Sequence, residues 1–195
     1  CEKPIVLNPW NIDALIELEG EYKNEVHTIL QLRHHEAILE LKNKIINGEV
    51  DKVYEIDLTY ITSRGNWYYT SWKGNEEKSG GIASNIGVHF FDMLQWIFGP
   101  MEQATVDIKT KDTNSGTLQF KQAKVNWYLS INANNLPQQA KKNGLSTFRT
   151  LSIEGEEIEF SKGFTDLHTV SYQHILDGKG YGLADAKNSI EIVSK

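Results

Sequence analysis

The chain has 195 residues, of which 39% are hydrophobic and 24% charged, a composition typical of a globular protein that buries a sizeable core. A formal net charge of −6, without a dense run of lysine and arginine, argues against nucleic acid as a partner. A single cysteine excludes an internal disulfide and no apolar run reaches membrane-spanning length, so we expect a cytoplasmic protein with no membrane partner.

The first 49 residues show the alternation of strands and helices that is typical of a parallel sheet. Asn8 can cap a helix that has Pro9 at its first position and that continues to about residue 24. Residues 26–32 form a short apolar run that predicts a strand, and residues 36–47 predict an amphipathic helix that ends at Gly48. We therefore expect residues 1–49 to be a βαβα remnant of a doubly wound dinucleotide-binding domain.

The sequence lacks the glycine fingerprint of such a domain. Its one dense late glycine cluster, at Gly178, Gly180 and Gly182, has Leu183 where G-x-G-x-x-G requires a third glycine, and it does not follow an apolar strand. The sequence also begins at Cys1 rather than at a methionine. We therefore expect a piece of a longer protein whose nucleotide-binding half lies upstream.

From residue 50 onward the pattern has a period of two, which indicates strands with one apolar face. The strand candidates are residues 54–60, 101–111, 117–120 and 125–131, with a hairpin of residues 147–153 and 157–160 over Gly155. Residues 136–145 predict a loop, and residues 165–176 and 183–193 predict closing helices. We expect residues 50–195 to form an α+β domain with an open antiparallel sheet and helices on one face. The other face would carry residues such as Trp127 or Tyr128, facing a partner or water.

Residues 62–79 have the most unusual composition in the chain, because they combine cations with amphipathic rings. Rings can cover the faces of a sugar, and an arginine can form a fork with a carboxylate or phosphate, so the segment indicates recognition of an anionic carbohydrate. A surface loop or an oligomer contact rich in aromatics is the alternative. The residues concerned are Arg64, Trp67, Tyr68, Tyr69, Trp72 and Lys73.

A helix is predicted directly after this segment, from Ser84 as its cap to Gly99. Asn85 and His89 lie one turn apart on it, so both side chains can point into the same space. Two glycines precede the helix and allow close approach of a ligand, which favours a small-molecule site. A hydrogen-bonded structural histidine is the alternative.

Other candidate residues give weaker signals. His34 and His35 are adjacent and diverge, and no carboxylate or cysteine set stands at metal spacing, so we expect no metal site. Asp92 lies one turn beyond His89 and could either orient its ring or be a solvated carboxylate. Asp166 and His168 stand at a predicted helix start, where backbone amides favour phosphate, although plain capping is the simpler role.

The opening Cys1-Glu2-Lys3-Pro4, the Asn8-Pro9 helix start, the glycine-rich turn and the spacing of Asn85 and His89 together carry a resemblance. They resemble the glucose-fructose oxidoreductase, inositol dehydrogenase and MocA family of nicotinamide-dependent sugar oxidoreductases. The resemblance implies that Lys3 and His89 meet at the reacting carbon, that Glu2 and Lys3 border the NAD cofactor, and that the main cofactor site lies in the missing domain. It also implies a dimer or tetramer assembled through the open sheet face.

Three longer stretches resemble one group within the family, the bacterial UDP-N-acetylglucosaminuronate 3-dehydrogenases of surface-polysaccharide synthesis: RGNWYYTSWKGNEEKSGGIASNIGVHFFD, FRTLSIEGEEIEFSKGFTDLHT and YGLADAKNSIEIV. That resemblance implies oxidation of the 3-hydroxyl of a UDP-linked N-acetylated sugar acid by NAD. It implies that the substrate is held by Arg64, Tyr68, Ser71, Lys73 and Asn85, to which we add Asp166 and His168 as candidate contacts to the nucleotide.

The implied roles of the two catalytic candidates stay open in one respect. Many family members have an aspartate where this chain has Asn85, and an amide cannot accept a proton. We therefore favour His89 as the base and Lys3 as a cation that stabilises the developing alkoxide, with the reverse assignment as the alternative.

Three functions from different classes follow from the sequence. The first is the substrate half of a sugar-nucleotide oxidoreductase that is inactive as an isolated fragment, or of another sugar or polyol dehydrogenase of the family. The second is a noncatalytic module for sugar-nucleotide binding or oligomerisation. The third is glycoside cleavage through transient oxidation, against which the segment from Arg64 to Lys73 counts.

Overall fold

The computed structural model describes residues 1–158 and 163–194. The N-terminal part contains helix α1 (Pro9–Tyr22), a 3-10 turn (Gln31–His34) and helix α2 (Glu36–Ile46). The helices agree with the prediction, whereas the strand predicted at residues 26–32 does not form. Instead, the Cys1 amino group donates to the His27 backbone oxygen, and the Ile29 amide donates to the Cys1 oxygen. This is the hydrogen-bond pattern of a parallel strand pair, but it extends over one residue only.

A six-stranded sheet forms the rest of the scaffold, in the order β2-β3-β4-β1-β5-β6. The strands are β1 (Tyr54–Thr62), β2 (Met101–Lys109), β3 (Thr113–Phe120), β4 (Ala123–Ser130), β5 (Thr147–Ile153) and β6 (Glu156–Ile158). The predicted α+β class, with an open sheet, is confirmed. The last residues of the predicted hairpin, 159 and 160, lie outside the described residues.

The sheet is mixed rather than purely antiparallel, because β1 and β4 pair in parallel while the other neighbours pair antiparallel. Several helices separate β1 from β2 in the chain, and such a crossover returns the chain to the end of the sheet where β1 began. Two hairpins later, β4 runs in the same direction as β1. Alternation in the sequence reveals the faces of a strand but not its direction, so this pair was predicted wrongly.

The connection between β1 and β2 carries helix α3 (Asn66–Thr70), a 3-10 turn (Trp72–Gly74), helix α4 (Glu76–Ser79), a π-helical turn (Ala83–Gly87) and helix α5 (Val88–Phe98). After β4 come a 3-10 turn (Ala133–Asn135) and helix α6 (Gln138–Lys142), where the sequence predicted a loop. Helices α7 (Leu167–Leu176) and α8 (Leu183–Val193) close the chain, as predicted. Every helix in the described part of the chain is too short or too polar to cross a membrane.

The core lies between one face of the sheet and the helices, with α5 at its centre. Phe91, Met93 and Leu94 of α5 are at most 1% exposed, and they pack with sheet residues such as Leu58 and Phe120. Trp127 belongs to this face, 5% exposed and in edge contact with Phe91, so its predicted place on the open face is wrong. Tyr128, half-buried, alternates to the opposite face as predicted.

Candidate active site

A glycine turn sets the approach to helix α5. Gly80 has φ 72°, and a Cβ there would lie 2.3 Å from the Ser84 hydroxyl oxygen, so only glycine fits. The chain then enters the π-helical turn, where a Cβ on Gly87 would lie 2.6 Å from the Leu129 side chain. The small residues of this stretch let the turn pack closely against the sheet, and the turn carries Asn85 while the start of α5 carries His89.

Asn85 connects the two lysines that the sequence predicted for the site. Lys3 Nζ donates to the Asn85 backbone oxygen at 3.5 Å, and Asn85 Nδ2 donates to the Lys73 backbone oxygen at 3.4 Å. Ser79 donates to the same Lys73 oxygen at 2.9 Å. The structure thus brings together Lys3, Lys73 and Asn85, which are far apart in the sequence.

His89 and Lys3 both have lowered pKa values. Burial lowers the pKa of His89 well below its ordinary value of 6.5, and the charges of Lys3, His168 and Arg149 lower it further. Burial also lowers the pKa of Lys3 to about 8, an effect that Glu2 opposes and that Lys73 and Arg64 increase. At neutral pH, His89 is therefore a neutral imidazole that can accept a proton, beside a lysine that is mostly protonated.

The surroundings of this pair are strongly cationic. Lys73 and Arg64 act on Lys3, and His168 and Arg149 act on His89. Among the groups that shift these two pKa values, only Glu2 is acidic, and it pairs with His168 at 3.1 Å. Such an arrangement is suited to a ligand that carries several negative charges.

Arg149 is the residue that the sequence analysis missed. It lies on β5 directly opposite Tyr60 of β1, and its guanidinium lies 5.6 Å from the Tyr60 ring centroid and 4.1 Å from that of Phe164. The pairing of β5 with β1 is what brings Arg149 beside Tyr60 and so to the candidate site. The signal available was an arginine in phase with the apolar residues Leu151 and Ile153.

Tyr68 and Ser71 have different environments. Tyr68 is buried, its hydroxyl has no hydrogen-bond partner within the described ranges, and burial raises its pKa. Ser71 donates its hydroxyl to the Tyr68 backbone oxygen at 2.8 Å and accepts from the Lys73 amide at 3.3 Å, so its side chain caps the 3-10 turn. Tyr68 keeps a free hydroxyl, whereas the hydroxyl of Ser71 is engaged locally.

The two candidates at the start of α7 lie near the site at its exposed side. His168 is exposed, and its Nε2 lies 3.1 Å from a carboxylate oxygen of Glu2. Asp166 is exposed at the cap position of α7, where its side chain makes no capping hydrogen bond.

Asp92 does not orient His89, contrary to one of the two roles that the sequence left open. Its carboxylate accepts two hydrogen bonds from Arg33, at 2.7 and 3.0 Å, and Arg33 also bonds Asp185 at 3.1 Å. The residue is 3% exposed, so the solvated role is also wrong. Within the described ranges, no group of three or more histidine, cysteine, aspartate or glutamate side chains is placed to hold a metal ion.

A cavity of about 340 Å³ lies beside the site, between residues 68–83 and the apolar face of the sheet. Its lining includes Tyr68 and Lys73 as well as the apolar side chains of Phe91, Leu118 and Trp127. Lys3 and His89 do not line it, and Lys73, whose charge acts on Lys3, lies in both the cavity wall and the surroundings of this pair.

Comparison with known proteins identifies relatives of this chain. The sequence profile of the oxidoreductase family's C-terminal alpha/beta domain, defined for the glucose-fructose oxidoreductase, inositol dehydrogenase and MocA proteins, matches residues 42–147. YteT of Bacillus subtilis (strain 168), whose name describes an oxidoreductase, is 26% identical over 100 residues, which cover 50% of this chain and 23% of YteT.

Two crystal structures of the WlbA (WbpB) dehydrogenase from Thermus thermophilus are similar over 99% of this chain. The complex with NAD and alpha-ketoglutarate is 44% identical with a TM-score of 0.94, and the complex with NAD and UDP-GlcNAcA is 43% identical with a TM-score of 0.93. The chain spans 62% of the length of that dehydrogenase. The match to the family profile over more than half of the sequence shows that the chain belongs to this oxidoreductase family and contains its C-terminal alpha/beta domain.

Proposed function

We propose that this chain is the substrate-binding part of an NAD-dependent oxidoreductase that oxidises the 3-hydroxyl of a UDP-linked N-acetylated sugar acid, in the synthesis of surface polysaccharide. The cationic surroundings of Lys3 and His89 carry the proposal. A nucleotide sugar acid brings negative charge from its diphosphate and from its carboxylate, and it would neutralise Arg64, Lys73 and Arg149. The similarity to a dehydrogenase whose structure contains UDP-GlcNAcA supports the same substrate class.

His89 is the proposed base. Oxidation of an alcohol requires loss of the hydroxyl proton together with a hydride, and a neutral imidazole is ready to take that proton at neutral pH. The pKa of His89 lies well below 6.5, so protonation does not compete until the solution is acidic. Lys3, as a cation, would stabilise the developing alkoxide and would also keep His89 from binding a proton before the reaction.

The residues at the start of the chain fit the reactive end of a nicotinamide cofactor. Lys3 Nζ has three donors, and within the described ranges only the Asn85 oxygen accepts from it, at a long distance of 3.5 Å. Lys3 and Glu2 would hold the nicotinamide end of NAD. When bound, NAD supplies the hydride acceptor, and the residues for its pyrophosphate belong to a glycine fingerprint that this sequence does not contain.

The remaining assignments belong to the same proposal. Arg64 and Lys73 would bind the diphosphate, the free hydroxyl of Tyr68 would meet the sugar or the nucleotide, and Asn85 would hold a hydroxyl or the N-acetyl group. Asp166 and His168 would contribute from the start of α7, and Ser71 would act by capping the turn that carries Lys73. NAD and nucleotide sugars are cytoplasmic metabolites, so the cytoplasm is the location that this function requires.

The test is NADH formation by the natural full-length protein given NAD and UDP-N-acetylglucosaminuronic acid. We expect His89→Asn and Lys3→Met to lower kcat by about 100-fold or more, since each removes a group that acts on the reacting hydroxyl. Lys121→Gln, which removes a cation from the exposed turn between β3 and β4, is the matched control and should leave kcat unchanged. Nucleotide-sugar binding without NADH formation by the parent would overturn the dehydrogenase proposal for this substrate.

A further inference from the structure

Arg149 occupies a position where the fold places apolar side chains. On β5 it is in phase with Leu151 and Ile153, which are 0% and 8% exposed, and it lies opposite Tyr60 on the helix-covered face of the sheet. Its own side chain is half-buried. A guanidinium at a core-facing position is costly unless an anion compensates for the lost water.

Two aromatic rings fix the direction of this guanidinium. It lies 4.1 Å from the Phe164 centroid and 5.6 Å from that of Tyr60, and Tyr60 in turn packs against Phe90 at 5.0 Å. Phe90 directly follows His89 in helix α5. The two rings restrict the orientation of the planar fork, whose charge acts on His89, so a ligand that binds it loses little side-chain entropy.

The anion that would compensate Arg149 is not found within residues 1–158 and 163–194, where no carboxylate lies within 4.0 Å of it. Arg33 provides the contrast within the same chain. It is buried, and it has Asp92 at 2.7 Å and Asp185 at 3.1 Å. Among the described residues, the arginine that holds the helices together is therefore paired with carboxylates, and the one that faces the candidate site has none within 4.0 Å.

The cations around the site divide into two sets. Arg64 and Lys73, which follow β1 in the chain, lower the pKa of Lys3. Arg149, which lies on β5, lowers the pKa of His89. A nucleotide sugar acid also has two anionic parts, because the diphosphate is attached to one side of the pyranose ring and the carboxylate to the other. The hydroxyl that reacts lies between them.

We propose that Arg149 binds the sugar carboxylate through its planar fork and thereby selects uronic acids over neutral sugars. The proposal rests on the proposed function, and it goes further by giving this selection to a residue outside the segment rich in cations and rings. A fork matches a planar carboxylate with two parallel N–H···O bonds, which the point charge of a lysine cannot reproduce.

The experiment measures binding to the natural full-length protein by calorimetry, with UDP-N-acetylglucosaminuronic acid, UDP-N-acetylglucosamine and UDP as ligands. For Arg149→Met, we expect the affinity for the acid to fall by about 10- to 100-fold, while the affinities for the neutral sugar and for UDP change by less than about two-fold. For Arg149→Lys, we expect an intermediate loss for the acid. Lys121→Gln, which makes the same change in net charge, should bind all three ligands like the parent.

Arg149→Met also tests whether the residue has a structural role instead. Methionine suits a core-facing position, and removing an unpaired charge should leave the melting temperature unchanged or raise it. A large fall in melting temperature would overturn the proposal, since it would mean that the fold itself depends on the charge. Equal loss of affinity for all three ligands would also overturn it, because Arg149 would then bind the diphosphate.

The two proposals fail in different ways. If the parent protein prefers the acid and makes no NADH, the dehydrogenase proposal fails, and the selection by Arg149 is still decided by the three affinities. If NADH forms from the acid and Arg149→Met keeps the parent's preference, the role of Arg149 fails and the dehydrogenase proposal stands.

Discussion

Lys3 and His89 influence each other through their charges, and this coupling predicts the pH dependence of the reaction. His89 must be neutral to act as a base, so kcat/KM should fall with decreasing pH only in solutions well below pH 6.5. Lys3 must be protonated to stabilise the alkoxide, so kcat/KM should also fall as the pH rises through about 8. A pH profile of the full-length protein measures both limbs. A rate that increases through the alkaline limb would instead identify neutral Lys3 as the base.

Glu2 offers a control on that alkaline limb. Its charge raises the pKa of Lys3, so Glu2→Gln should move the limb to lower pH. Glu102→Gln, which removes an exposed acid from the edge strand β2, should leave the limb in place. A limb that stays in place in Glu2→Gln would show that it belongs to a group other than Lys3.

At the residue scale, the sequence predicted candidate residues but not their contacts. Glu2, Lys3, Lys73, Asn85 and His89 were predicted from family resemblance, composition and spacing, and the structure places them near one another, while their roles stay a prediction. Arg149 was missed because its place depends on strand register, which pairs residues far apart in the chain. The alternatives for Asp92 were wrong because its partner, Arg33, comes from a distant turn that helical spacing does not reveal.

The glycine turn before α5 is the element that sets the position of the site, and its conformation can be tested directly. Gly80→Ala should destabilise the protein by about 2–4 kcal/mol, since it adds left-handed strain and a clash with Ser84. Gly178→Ala is the matched control, because Gly178 has φ 71° but open space around its Cβ, and it should cost about 1 kcal/mol. Urea denaturation measures both. Equal losses would mean that the contact with Ser84 relaxes without cost.

The Arg33–Asp92–Asp185 cluster joins α5 to α8 and to the turn before α2, and it predicts unequal effects of two similar changes. Asp92→Asn should lower the free energy of unfolding by about 3 kcal/mol, because it leaves the buried Arg33 without its main partner. Asp185 has a side chain that is 42% exposed, so Asp185→Asn should cost less than about 1 kcal/mol. Urea denaturation again gives both values. Similar losses would show that Arg33 depends on both carboxylates equally.

At the scale of elements, the hydrophobic period predicted those helices and strands whose conformation depends on their local sequence. The predicted strands of residues 50–195, the helix of His89 and the closing helices all form, and β1, β4 and α5 bury one face of a regular pattern. Residues 136–145 were predicted as a loop but contain helix α6, and residues 62–79, for which no helix was predicted, contain α3 and α4; these helices are too short to show a period. The direction of β4 relative to β1 depends on the path of the chain between them, which no single segment encodes.

At the scale of the whole molecule, the first residues are part of the structure that forms the site. Ile12 of α1 is 0% exposed and packs with Val88, Leu183 and Ile190, and Lys187 of α8 bonds Asp13 at 2.6 Å. These contacts hold the segment that delivers Lys3 to Asn85. The division into residues 1–49 and 50–195 stays a prediction, and separating the two parts would remove Glu2 and Lys3 from the candidate site.

The charged side chains on the open face of the sheet suggest how two copies of the chain assemble. The exposed side chains on it include Glu55 and Asp57 of β1 and Lys124 and Asn126 of β4, so acids and a base stand on neighbouring strands. A two-fold axis that runs along the strands between β1 and β4 would bring the acids of one copy toward the lysine of the other. We therefore predict a homo-oligomer, at least a dimer, in which this face of one copy covers that of a second.

Tyr128→Glu tests this assembly, because Tyr128 is half-buried at the middle of the open face on β4, and a new acid there would face the acidic strand β1 of the second copy. Sedimentation of the full-length protein should give an oligomer for the parent and a smaller species for this variant. Leu39→Glu, on an exposed position of α2, adds the same charge away from the sheet and should keep the parent's mass. An oligomer that survives Tyr128→Glu and dissociates in Leu39→Glu would assign assembly to the helical side, where a second copy would lie close to the candidate site.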